Sequence, residues 1–178
     1  DDGSIISLLN FVEVKPGECY FIKSGTVHAI GGGVTLMEIQ QNSTLTYRLY
    51  DYKRLGIDGK PRELHVKKAL KVLDYQPYNP PKFKAPLIGE CQYFSSSVYS
   101  VKEEVITAPT NSFASLSFLG GEGTFAGIPY KNGDTFFIPA GKQGKLVGTG
   151  QYVMTLVKWT YDCSRHWYRW LFDQDCFY

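Results

Sequence analysis

Histidine, methionine and cysteine, the side chains that most often announce metal or thiol chemistry, are sparse here, with three, two and four copies among 178 residues. The cysteines, Cys19, Cys91, Cys163 and Cys176, form no C-x-x-C pair. That argues against a thiolate zinc site and for reduced thiols in a cytoplasmic protein. Cys163 and Cys176 are the pair that an oxidising compartment would bridge. Charge of one sign is scarce too: a formal net charge of +2, with no Lys/Arg run, argues against a nucleic-acid partner. No apolar run reaches membrane-spanning length, so no membrane partner is expected. Gly31-Gly32-Gly33 lacks both the G-x-G-x-x-G and the Walker spacing and is no phosphate loop.

What is present is aromatic and β-prone. Thirteen Tyr and 11 Phe, with 43% hydrophobic and 20% charged residues, describe a soluble globular chain rich in strands. Its length suffices for a real core in one domain or two small ones.

One stretch, Val12 to Ile30, combines an apolar strand, a turn and a histidine. Gly17 starts a tight turn, Glu18 to Lys23 alternate as a strand with one buried face, and Ser24-Gly25 bends the backbone. His28 follows three residues later, where a strand-turn-strand frame would hold its imidazole at the mouth of a sheet. The spacing of Gly17, Lys23, Gly25 and His28 resembles the second conserved motif of cupins, with Lys23 in place of the usual proline. A second copy runs from Lys131 to Gly144, at an offset of 116 residues. It has the proline, Pro139, but Gly144 stands where the histidine belongs. An offset of domain size implies two related domains, only the first of which keeps its ligand.

Along the chain, strands are expected at Ser4 to Val14 and in the motif, then a hairpin from Val34–Ile39 and Thr44–Tyr50 around Gln40-Gln41-Asn42-Ser43. Asp58-Gly59 is a turn. Pro61 suits a first helical turn, and Leu64, Ala69, Leu70 and Leu73 then share a face with lysines opposite. Pro77, Pro80, Pro81 and Pro86 make 74–86 an extended crossing. Seven short strands from Leu87 to Trp159, separated by Gly-rich turns, indicate a β-sandwich. Trp167, Trp170, Leu171 and Gln174 fall at the spacing of a short amphipathic helix in an aromatic tail.

The run Ser24 to Arg54, SGTVHAIGGGVTLMEIQQNSTLTYRLYDYKR, followed by Pro61-Arg62-Glu63-Leu64-His65, closely resembles bacterial type I mannose-6-phosphate isomerases. These share a histidine after Ser-Gly-Thr, a Glu-Ile-Gln-Gln-Asn-Ser run and an arginine just before Tyr-Asp-Tyr. The match is specific over about the first 75 residues. The resemblance implies a mainly β fold of cupin jelly-roll sandwiches, with part of a first cupin, a short bridging helix and a complete second cupin. On this reading 1–60 is the C-terminal half of the catalytic cupin, 61–86 the bridging helix and Pro-rich linker, 87–160 a metal-free cupin and 161–178 the tail. The function implied is an aldose-ketose isomerase, dependent on zinc, that interconverts mannose 6-phosphate and fructose 6-phosphate. His28 matches a zinc ligand and Arg48 the active-site arginine. The chemistry agrees: moving a proton between two sugar carbons passes through an enediolate, which a metal cation and a guanidinium stabilise. Arg48 stays protonated, which suits charge stabilisation better than base duty.

The chain departs from that family in one respect. A catalytic zinc takes about three protein ligands, and the family's earlier motif rich in His, Gln and Glu is absent. No histidine precedes His28, and Asp1, Asp2, Glu13 and Glu18 lack a grouped spacing. The chain, starting Asp1-Asp2-Gly3, therefore reads as the C-terminal part of an isomerase, inactive alone, whose open sheet edge is covered by the second unit or by another copy. Outside the match His28 would be a turn-closing histidine, and Arg48 one end of a surface ion pair. Glu38 faces the pocket or pairs with Arg48 or Lys53. His65 caps or packs at a helix start, His166 is structural, and Lys53 and Arg54 either reach a sugar phosphate or, as the default, form a solvated pair. A non-catalytic sugar-binding or structural cupin is the alternative function. An iron oxygenase would need two histidines and a carboxylate and ranks last.

Overall fold

The computed structural model describes residues 3–43 and 45–158. The chain divides into two compact units at Pro81/Lys82. The anticipated tail helix, with Cys163, His166 and Cys176, lies outside the described residues.

In the first unit, Ser4–Leu8 forms a 3₁₀ helix where a strand was expected. The described residues of the motif segment, of 34–43 and of 45–50 join no β-ladder. A strand exists only when a neighbour takes up its backbone N–H and C=O groups, so alternation in sequence was not enough. No residue from Glu18 to Lys23 is buried, and Tyr20 and Ile22 are 42% and 38% exposed. The Asp58-Gly59 turn is present inside a tight loop: Gly56 N–H donates to the Lys60 carbonyl at 2.7 Å, and Leu55 and Pro61 bridge. Pro61 is thus held in that bridge rather than opening a helix. The helix, α1, runs over Val66–Val72. It buries Ala69 and leaves Leu70 half exposed, so its covered face is His65, Ala69, Val72 and Leu73, at the spacing of successive helical turns.

The second unit carries the β structure: β1 (Leu87–Glu90), β2 (Phe94–Ser100), β3 (Glu104–Thr107), β4 (Ala114–Gly120), β5 (Glu122–Phe125), β6 (Ile128–Lys131), β7 (Thr135–Ile138), β8 (Gln143–Gly148) and β9 (Gln151–Val157). They form two antiparallel sheets, β1-β2-β9-β4-β7 and β3-β8-β5-β6. Chain neighbours β2 and β3, β3 and β4, β4 and β5, and β6 and β7 lie in different sheets, the interleaving of a jelly roll. The fold is therefore mainly β with one α-helix among the described residues. Inward positions of both sheets close the core: Leu116, Phe118 and Leu146 are fully buried. Phe118 of β4 stacks on Tyr130 of β6 with centroids 3.7 Å apart, and Phe125 of β5 meets Phe136 of β7 edge-on at 5.4 Å. Burying each such side chain contributes about 1.5–3 kcal/mol. No helix among the described residues is long and apolar enough to cross a membrane.

Candidate functional site

Two turns shape the segment that carries His28. At Lys15-Pro16-Gly17-Glu18, Gly17 takes φ 87°, Glu18 N–H donates to the Lys15 carbonyl at 3.2 Å, and Lys15 N–H donates to Glu18 Oε2 at 2.8 Å. The downstream copy repeats every part. Gly133 has φ 88°, Asp134 N–H donates to the Lys131 carbonyl at 3.1 Å, and Lys131 N–H donates to Asp134 Oδ2 at 2.9 Å. The second turns agree as well, with Thr26 N–H on the Lys23 carbonyl at 3.1 Å and Lys142 N–H on the Pro139 carbonyl at 3.0 Å. The repeat read in the sequence is thus a repeat of backbone geometry. Only a residue without a Cβ adopts these left-handed conformations at little cost.

The outcomes at the two ligand positions diverge. His28 is exposed, and its Nδ1 lies 2.9 Å from the Thr26 carbonyl. With that nitrogen donating, Nε2 presents its lone pair outward, the arrangement that orients a metal-binding imidazole. Gly144 is buried, and a Cβ there would lie 2.7 Å from Phe125 Cε2. The phenyl ring occupies the space that a side chain at this position would need.

Arg48 is bound into a compact knot. Its main-chain N–H donates to His65 Nδ1 at 3.3 Å, and His65 N–H returns a bond to the Arg48 carbonyl at 2.7 Å. Its guanidinium donates through Nη1 to the Glu63 carbonyl at 3.0 Å, and Nε lies 3.7 Å from Asp51 Oδ1. Asp51, 6% exposed, is the one buried carboxylate among the described residues of the unit. It accepts from Arg62 Nε at 2.6 Å and from Arg62 Nη2, and from Arg54 Nη2 at 3.1 Å. Its own carbonyl accepts from Arg54 N–H at 2.9 Å across Tyr52 and Lys53, both left-handed at φ 52° and 55°. Hydrogen bonding from Arg62, reinforced by the Arg62 and Arg54 charges, holds the Asp51 carboxyl below its ordinary range despite desolvation.

Helix α1 links the two candidate residues. His65, which precedes its first turn, holds Arg48. At its other end Asp74 N–H donates to the Gly25 carbonyl at 2.9 Å, and a Cβ on Gly25 would lie 2.7 Å from the Val72 carbonyl oxygen. A seven-residue helix is about 10 Å long, so the His28 turn and the Arg48 knot are fixed at opposite ends of a short strut.

The described residues do not by themselves fit a catalytic zinc. No group of three or more His, Cys, Asp or Glu side chains among them stands close enough to share an ion, and His28 alone falls short of the usual three. Glu38 is exposed, and the carboxylate that Arg48 meets is Asp51. Arg54 also bonds Asp51, while its side chain stays 63% exposed beside the exposed Lys53. Sequence reasoning passed over Asp51 and Arg62. The local signal was a carboxylate with an arginine three residues to either side.

No family model matches the chain. Mannose-6-phosphate isomerase ManA of Bacillus subtilis (strain 168) is 36% identical over 163 residues, covering 83% of this chain and 51% of that protein. The putative mannose-6-phosphate isomerase YvyI of the same organism is 34% identical over 153 residues, 79% of this chain and 48% of its own. The chain is a homologue of mannose-6-phosphate isomerases. A crystal structure of the mannose 6-phosphate isomerase from Bacillus subtilis superposes with a TM-score of 0.53 at 29% identity, over 65% of this chain and 41% of that one. This homologue spans about half the length of the curated relatives it matches.

Proposed function

We propose that the chain contributes to an aldose-ketose isomerase that interconverts mannose 6-phosphate and fructose 6-phosphate in the cytoplasm. The observation that carries this reading is the 36% identity to a mannose-6-phosphate isomerase over a stretch that includes most of the chain. The geometry of Arg48 supports it, since a permanently charged guanidinium is held by Glu63 and Asp51 with its side chain 24% accessible. In this role Arg48 meets the negative charge that develops on the sugar oxygens as a proton moves between neighbouring carbons. His28 supplies one nitrogen donor to the zinc that this reading implies, a cation that would act as a Lewis acid on the sugar when bound. Its further donors lie outside the described residues. The first unit is then part of a catalytic cupin, and the second a metal-free one in which Phe125 fills the ligand position.

The test is a coupled assay for fructose 6-phosphate on the native gene product, beside elemental analysis for zinc. Turnover of mannose 6-phosphate, with zinc lost from His28→Ala, supports the proposal. A protein that binds no transition metal and leaves mannose 6-phosphate unchanged overturns it.

A further inference from the structure

We propose that Asp51 is a positioning residue that sets the Arg48 guanidinium for charge stabilisation, an inference that rests on the isomerase reading of Arg48. Three arginines, Arg48, Arg54 and Arg62, converge on this one carboxylate. Arg62 grips both of its oxygens and Arg54 adds a further bond to Oδ1. The carboxylate is fixed by these two before Arg48 is considered, and burial withholds water as a competing partner.

Arg48 stands in a different relation to it. At 3.7 Å its Nε is within ion-pair reach of Oδ1 but beyond a hydrogen bond. The attraction orients the guanidinium without consuming its donors, and the Glu63 carbonyl fixes one further edge through Nη1. Neutralising Asp51 would leave three like charges around one small site. Their repulsion would release the Arg48 guanidinium from the orientation that it holds beside Asp51, leaving the Glu63 carbonyl as its remaining tie. The two left-handed residues that follow Asp51 fit a backbone held by this network, because neither Tyr52 nor Lys53 favours that conformation alone.

The experiment compares Asp51→Asn, Asp51→Glu, Arg48→Lys and the Asp51→Asn/Arg48→Lys double variant of the native gene product. It reads kcat and KM for mannose 6-phosphate and the Arg48 Nε–H resonance by NMR. Asp51→Asn is expected to lower kcat roughly ten- to hundredfold, the range of one charge-assisted interaction, with KM little changed and the resonance broadened. Asp51→Glu keeps the resonance and recovers part of the rate, and it answers the question alone should the asparagine variant not fold. In the Arg48→Lys background Asp51→Asn causes no further loss of kcat. Independent, multiplicative losses, or an Arg48 resonance that ignores the substitution, overturn the positioning role. A wild-type protein without isomerase activity refutes the proposed function instead, and the resonance still decides whether Asp51 orders Arg48.

Discussion

Arg48 and His65 exchange two hydrogen bonds, one from each main-chain N–H, with the His65 ring and the Arg48 carbonyl as acceptors at 3.3 and 2.7 Å. The segment carrying the candidate catalytic arginine is thereby tied to the start of α1. His65→Phe keeps the ring volume and removes the acceptor, leaving a partly buried N–H without a partner. A loss of about 1–3 kcal/mol is expected, measurable as a lower urea midpoint at unchanged slope. His65→Asn, which can still accept, should lose less.

The glycines of the two motif turns differ in what surrounds them. Gly17 and Gly133 have positive φ and open space, whereas Gly25 combines positive φ with a close approach to the Val72 carbonyl. Alanine at Gly17 or Gly133 should cost about 1–2 kcal/mol from backbone strain alone. Gly25→Ala should exceed both, since it also separates the His28 turn from the helix end. Chemical denaturation of the three variants checks that order.

At Gly144 the obstacle is Phe125. Gly144→Ala is expected to destabilise the second unit by about 1–3 kcal/mol through overpacking. Because the clash is with one ring, Phe125→Leu made alongside should cost less than the separate effects combined, a coupling read from a double-mutant cycle. Equal and independent costs would place the strain elsewhere.

Acid should loosen the Arg48 knot. Asp51 is held below the ordinary carboxyl value of 3.8, chiefly by its hydrogen bond from Arg62. The unfolded chain therefore takes up a proton first as pH falls. The contribution of Asp51 to stability is present above that ordinary value and is lost as pH drops through the lower folded one. Asp51→Asn should lower the melting temperature at neutral pH, and the gap to wild type should shrink in acid. A gap that stays constant to about pH 2 would contradict the ion network.

The parts of this structure legible in the sequence are those set by local chemistry. Gly17, Gly25 and Gly59 announced turns because few other residues take left-handed φ, and each is found there. Short β-prone runs between Gly-rich turns marked the strands from Leu87 onward, β4 and β9 among them. The hairpin between β5 and β6 turns on Ala126 and Gly127, at φ 51° and 79°, and of these two only the glycine signals a turn by its type. The strands anticipated before Tyr50 failed for a nonlocal reason: hydrogen-bond partners are supplied by other segments, which periodicity does not reveal. The Asp51 network was hidden in the same way. Arg62 is 11 residues from Asp51, and only the fold brings them together.

The most direct measurement is the turnover number of the native gene product for mannose 6-phosphate with Arg48 intact and with Arg48→Lys. A lysine keeps the charge but not the planar fork held between Glu63 and Asp51. With Arg48→Lys, kcat should fall by about two orders of magnitude, as on removing a donor to developing charge, with the fold retained. Equal turnover by the two proteins would contradict the catalytic role of Arg48.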